Sequence, residues 1–357
     1  MKATETLHDQ GQSLWLDNIT RSMLDNGVVQ HYIDRYSVTG LTSNPSIFDK
    51  AISSGDYDDA IREKAAAGLS GESLFFELAI EDLQRAADLF LPIHERTHGI
   101  DGWCSLEVSP ELAYDTEKTV AAAKELFARA GRRNLFIKIP GTEEGLPAIE
   151  ECIASGVSVN VTLLFDEAHY RAAADAYMKG IERRVAHKQD PFVGSVASVF
   201  ISRWDTSVSE SVPDELKNDL GLAVGLDVYR AYREVKASDR WLRLENSGAK
   251  MQRLLWASTG TKDPNAPDTL YVHGLAAPFT INTMPDKTLE AFHDHGDAGD
   301  PLPADGGNVD ELFAKFEAAG VDLTALAAKL QSDGARSFVD SWIDLVNRIE
   351  EQSKSVK

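Results

Sequence analysis

Eight short apolar runs punctuate the chain, and the stretches between them carry apolar residues at three- and four-residue spacing. The runs are SLWLDNI (13–19), YSVTGLTS (36–43), GWCSLEV (102–108), NLFIKIP (134–140), GVSVNVTLLF (156–165), SVASVFIS (195–202), RLLWASTG (253–260) and TINTMP (280–285). Each has the length of a strand, whereas GESLFFELAIEDLQRAADLFL and DTEKTVAAAKELFARAG read as amphipathic helices, the second stopped by Gly131. Strands alternating with helices predict parallel βα units. With no Pro/Ser-rich linker or low-complexity tract to divide the chain, the pattern points to one (β/α)8 TIM barrel over residues 1–357. The longest gap, about residues 45–101 between the second and third strands, is expected to hold additional helices, as is a C-terminal extension of about 305–352. In that extension Phe338, Trp342, Leu345 and Ile349 share one helix face, which is predicted to pack across the barrel.

The alternation inside the runs carries chemical information, because alternate residues of a barrel strand point inward. In NLFIKIP the all-aliphatic face of Leu135, Ile137 and Ile139 suits the outer helices, which turns Phe136 and Lys138 inward. A lysine in so poorly hydrated a place is expected to be partly deprotonated, and the neutral amine is the nucleophile of Schiff-base chemistry. Polar residues share the inward parity in other runs: Asp17 with Trp15, Thr42 with Asn44, Ser105 with Glu107, and Asn160 with Thr162. Taken singly, Asp17 would serve equally as a helix N-cap and Asn44-Pro45 as a turn. Taken together, an inward lysine with two carboxylates nearby suits an aldol reaction, in which an imine is the electron sink and the acids move protons.

Charge narrows the partners. The 357 residues include 36 basic and 57 acidic side chains, a net charge of −21. Such a surface disfavours nucleic acid and anionic membranes, and an anionic ligand would need basic groups gathered locally. Two cysteines, Cys104 and Cys152, make no disulfide framework. The polar N-terminus MKATETLHDQGQ and the lack of an apolar run near the roughly 18 residues that span a bilayer predict a cytoplasmic protein. A rival chemistry is written in HERTH (94–98), an H-E-x-x-H pattern in which His94 and His98 would bind zinc and Glu95 act as base of a hydrolase. The pattern sits at a helix end after Pro92 and lacks a convincing third ligand, so no metal is expected.

GLTSNPSIF (40–48), SLEVSP, NLFIKIPGT, VNVTLLF, SVFISRWD and NTMP, in this order, resemble the signatures of the transaldolase family over nearly the whole chain. The resemblance implies a (β/α)8 barrel with the Schiff-base lysine on strand four and no cofactor. It implies transfer of a dihydroxyacetone unit from sedoheptulose 7-phosphate or fructose 6-phosphate to glyceraldehyde 3-phosphate or erythrose 4-phosphate, in the non-oxidative pentose phosphate pathway. By motif, Lys138 attacks the ketose carbonyl, Asp17 takes the hydroxyl proton, and Glu107 and Thr162 position a proton-relaying water. Asn44 and Asn160 would bind the hydroxyls of the dihydroxyacetone fragment, while Ser198, Arg203 and Ser258 match positions lining the phosphate site, with Asp205 steadying Arg203. Gly260 stands where the family carries a second arginine, and Lys262 is the expected substitute. A simple aldolase that releases free dihydroxyacetone would use the same lysine and is the nearer alternative. Either a monomer or a homodimer is compatible with the sequence.

Overall fold

In the computed structural model, which describes residues 1–355, the eight runs form one closed parallel barrel in the order β1 to β8. The strands are β1 Ser13–Leu16, β2 Val38–Leu41, β3 Cys104–Glu107, β4 Leu135–Pro140, β5 Val159–Leu164, β6 Ser195–Phe200, β7 Arg253–Ala257 and β8 Ile281–Met284. β1 closes the barrel on β8. Every strand expected from the sequence is present, and all are shorter than their apolar runs. The surplus lies mainly at the C-terminal ends, where Asp17, Thr42 and Ser258 lie beyond the strands in the loops above them. In a barrel those loops build the reaction site.

The lower half of the interior is aromatic. Trp103, just before β3, stacks on Phe136 at 4.0 Å between ring centres, and Trp15 lies on the other side of Phe136 at 6.3 Å. This filling requires Gly40 in β2. A methyl group on its α-carbon would lie 2.6 Å from the Trp15 ring and 2.7 Å from the Trp103 carbonyl, closer than atoms can pack. Above the aromatic layer the inward residues become polar, with Ser105, Lys138, Asn160 and Ser198 all buried.

Three helices, Pro45–Ile52, Asp58–Ala66 and Gly71–Arg96, occupy the gap between β2 and β3. The C-terminal helix Leu323–Ser355 runs against them. Its Trp342 meets Phe75 edge-on at 5.0 Å, and Ser46 Oγ donates to Ser341 Oγ at 2.8 Å. Higher on the same helix, Gln331 Nε2 donates to the carbonyls of Gly141 and Leu163 at 3.1 and 3.0 Å, tying the helix to the rim above β4 and β5. Phe338, Trp342, Leu345 and Ile349 are all buried, as their spacing predicts. Among the described residues no helix is long and apolar enough to cross a membrane.

Because Gly40 is packed against a rigid indole and a backbone carbonyl, Gly40→Ala should lose about 1–3 kcal/mol of stability, the usual cost of overfilling a core. Urea unfolding would show it as a lower midpoint. An unchanged midpoint would mean that the aromatic layer yields at no cost.

Candidate active site

Lys138 stands near the C-terminal end of β4, and the strand register explains its company. Glu107 of β3 lies opposite it on one side and Asn160 of β5 on the other. The ammonium donates to Glu107 Oε2 at 3.0 Å and to the Ser43 carbonyl at 3.2 Å. Of the two carboxylates expected near it, Glu107 is the one in contact, so that Lys138 is one half of a buried ion pair. Burial pushes the Glu107 carboxyl above its ordinary pKa, and Lys138 only partly offsets this. Its second oxygen, Oε1, has no protein partner and borders a void of about 10 Å³, close to the space one water needs.

Lys138 opens on the other side into a cavity of about 170 Å³ at the C-terminal mouth. Asp17 faces it from above β1. Thr42 Oγ1 donates to Asp17 Oδ1 at 2.7 Å. That hydroxyl has one hydrogen, so the 2.7 Å contact between Thr42 and Thr283 must be donated by Thr283. Burial raises the Asp17 pKa, against the Thr42 hydrogen bond and the charges of Lys138 and Lys262. Asp17 is not a helix cap; that place belongs to Thr20, which accepts from the Met23 amide. Asn44 does cap the helix Pro45–Ile52, accepting from Ile47 N through Oδ1, and it also lines the cavity.

Two cations reach the same space. Arg203 follows β6 in the helix Ser202–Val208. Its guanidinium lies 5.0 Å from the Phe200 ring centre and 5.8 Å from that of Phe338. Burial alone lowers its pKa, with no carboxylate to oppose the effect. The expected support from Asp205 is absent. Asp205 turns away and accepts from Leu220 N, Gly221 N and Tyr271 Oη, while burial raises its pKa to about 6. Lys262 lines the cavity without an ion-pair partner among the described residues, Asp263 being taken by Asn218 and Asn265. A side chain at Gly260 would begin 3.8 Å from Lys262 Nζ, so the ammonium occupies the neighbourhood that such a side chain would enter.

The remaining sequence-predicted residues divide by depth. Thr162, Ser198 and Ser258 line the cavity, whereas Asn160 lies one layer down. Asn160 accepts from Ser198 Oγ at 2.7 Å and donates to Ser105 Oγ at 3.1 Å, which leaves one amide hydrogen uncommitted. Thr162 Oγ1 is buried without a protein partner. Ser258, with φ 56°, turns out of β7 to meet Ser202 Oγ at 2.9 Å. Sequence reasoning missed Thr283, Phe200 and Phe338 as cavity walls. The first two have the inward parity of Thr42 and Lys138; Phe338 carries only a helical packing signal.

The zinc reading of HERTH is overturned. His94 is buried edge-on to Trp103, with Nδ1 at 3.1 Å from the Asp101 carbonyl. The helix ends at Arg96, and His98 adopts φ 51°, so the two rings do not share a helical face. No group of three His, Cys, Asp or Glu side chains suited to a metal occurs among the described residues.

Comparison with known proteins agrees with this arrangement. Residues 14–349 match the family described as Transaldolase/Fructose-6-phosphate aldolase. A transaldolase of Saccharopolyspora erythraea is 46% identical over 99% of this chain and 98% of its own length. Transaldolases of Thermobifida fusca (44%; 98% and 97%) and an Arthrobacter species (43%; 97% and 96%) are similarly related.

Thr42 stabilises the ionised form of Asp17, so Thr42→Val should raise the Asp17 pKa further. Losing a hydrogen bond to a charged group corresponds to roughly one pH unit or more. A carboxyl-carbon NMR titration would show the midpoint moving up; a midpoint that stays or falls would mean the hydroxyl does not hold this carboxylate.

Proposed function

Because the chain belongs to the transaldolase/fructose-6-phosphate aldolase family, we propose that it is a cytoplasmic transaldolase of the non-oxidative pentose phosphate pathway. It would move a dihydroxyacetone unit from sedoheptulose 7-phosphate or fructose 6-phosphate to glyceraldehyde 3-phosphate or erythrose 4-phosphate. The observation that carries this reading is buried Lys138, paired with Glu107 behind it, opening onto a cavity that is also lined by Asp17, Arg203 and Lys262.

The steps follow from the proton affinities. Glu107, whose pKa burial has raised, is a ready acceptor for the proton that Lys138 must lose to attack the ketose carbonyl. The carbonyl oxygen leaves as water when the imine forms, and the partnerless Glu107 Oε1 and Thr162 Oγ1 would hold the water that relays these protons. Asp17 then takes the proton of the hydroxyl on the fourth carbon. The bond between the third and fourth carbons breaks, its electrons move into the iminium, and the aldose phosphate departs. The enamine left on Lys138 attacks the acceptor aldehyde, and Asp17 returns the proton. Asn44 and the free amide hydrogen of Asn160 are suited to the hydroxyls of the bound three-carbon unit, and Ser198 holds Asn160 in place.

A coupled assay with fructose 6-phosphate separates transfer from simple cleavage: turnover should require erythrose 4-phosphate, and release of free dihydroxyacetone without it would favour an aldolase. Borohydride added with fructose 6-phosphate should inactivate the protein irreversibly and place the added mass on residue 138. Labelling at another lysine would remove Lys138 from the mechanism.

The phosphate would bind Arg203, Lys262 and the Ser258 hydroxyl. Arg203 offers a planar fork free of acid partners, and Lys262 a mobile point charge over Gly260. Arg203→Ala and Lys262→Ala should each lower kcat/KM for fructose 6-phosphate by roughly 10- to 150-fold, the worth of one charged hydrogen bond. Unphosphorylated fructose should be nearly unaffected. Equal losses on both sugars would make Arg203 structural, and no loss in Lys262→Ala would give the second phosphate contact to another group.

A further inference from the structure

A second cavity, of about 540 Å³, lies at the opposite mouth of the barrel, where Ser13, Ser195 and Arg253 begin β1, β6 and β7. Its volume is that of a small-molecule site. None of the groups assigned to the aldol reaction reaches it.

Its walls are unusual in three ways. First, they expose apolar side chains that the core could have covered: Ile100 is 52% and Phe279 56% exposed. Second, Phe279 is held in that position by strained backbone. It has φ 65°, a region that bulky side chains rarely adopt. Its amide donates to the Gly11 carbonyl at 2.9 Å, and its own carbonyl accepts from Tyr232 Oη at 3.3 Å and Arg253 Nε at 3.4 Å. A glycine would meet those bonds without strain, yet the chain presents a ring to solvent. Strain kept where it serves no packing purpose is a pointer to function. Behind the ring, the stacked Trp103–Phe136 pair forms the floor.

Third, the local charge opposes that of the molecule. Three cations, Lys236, Lys250 and Arg253, line the cavity against two carboxylates, Asp101 and Glu245, in a chain whose net charge is −21. Asp101 is already consumed by donors from Ser13, Trp15 Nε1 and the Gly102 amide. Arg253 is committed to Ser13 Oγ and the carbonyls of Ile100, Phe279 and Thr280. Lys236, 5.5 Å from the Phe279 ring centre, and Lys250 have no carboxylate partner among the described residues.

We propose that this mouth of the barrel is a binding site for a small amphipathic anion. A ring-sized apolar body would lie between Phe279 and Ile100 above the Trp103–Phe136 floor, and its carboxylate or phosphate would meet Lys236 and Lys250. Aromatic carboxylates and nucleoside monophosphates share this chemistry.

Isothermal titration of the full chain with indole-3-acetate and with adenosine 5′-monophosphate tests the site and separates the two sources. At least one anion should bind saturably, and its neutral counterpart, indole-3-acetamide or adenosine, more weakly by about tenfold or more. Lys236→Gln/Lys250→Gln should weaken the anion by roughly 10- to 150-fold. Phe279→Gly should weaken both members of the pair while its thermal midpoint holds or rises, because the strain is relieved. Arg203→Ala, altered at the other mouth, should bind like the parent. Absence of saturable binding by both anions overturns the proposal. So does parent-like affinity in the lysine or Phe279 variants, a lowered midpoint in Phe279→Gly, or loss of binding in Arg203→Ala.

Discussion

The ion pair between Lys138 and Glu107 is the constraint around which the barrel interior is arranged. Both side chains are nearly inaccessible, 6% and 5% exposed, and lie 3.0 Å apart. Neither charge could be buried alone, since an isolated ion in a core costs several kcal/mol at least. The pair as a whole contributes little to stability compared with two well-packed apolar residues. What it preserves is a proton donor and a proton acceptor in contact, at the end of adjacent parallel strands whose register fixes their positions. The inward layer around it is polar for the same reason. The Ser43 carbonyl takes a second ammonium hydrogen, and Asn160, beside Lys138 in the ladder, is held by Ser105 and Ser198 with one amide hydrogen left over.

A chain of net charge −21 that is proposed to bind a phosphate has a second problem, which is to keep its own carboxylates off the cations. The solution around Arg203 is geometric. Asp205, two residues away, is bound to the amides of Leu220 and Gly221 and to Tyr271, so it cannot turn back. The Phe200 and Phe338 rings flank the guanidinium at 5.0 and 5.8 Å without taking up its hydrogen-bond donors. An aspartate partner would have held the arginine equally well and competed with every incoming anion.

The barrel and most of the mouth were legible in the sequence because strand parity is a strict rule: one residue sets the facing of its neighbours. Lys138, Asp17, Thr42 and Thr162 could be assigned an inward direction from that rule alone. Partners across strands were harder. Nothing in NLFIKIP says that β3 aligns Glu107, rather than Ser105, with Lys138; the register decides it. Asp205 was misread because nearness in sequence to Arg203 suggested contact, while the helix Ser202–Val208 directs the two side chains differently. Phe338 was expected to pack across the barrel, and buried it is, but a helical apolar stripe carries no sign of which member reaches Lys138, 5.6 Å from its ring centre. HERTH was set aside in the sequence because it sits at a helix end, and the helix decides the matter. A five-residue pattern specifies ligands only if the helix continues through it, and this helix stops at Arg96.

Phe338 belongs to the helix Leu323–Ser355, and it walls the cavity, flanks Arg203 and faces Lys138. All eight strands precede it, so a nascent barrel can close on the ribosome while its reaction chamber still lacks one side. Lys138 and Arg203 are then unshielded from bulk water, and the chamber is completed only when the helix Leu323–Ser355 emerges and latches through Gln331 and Ser341. A chain from which this helix were removed would leave the cavity open on the side that Phe338 now closes.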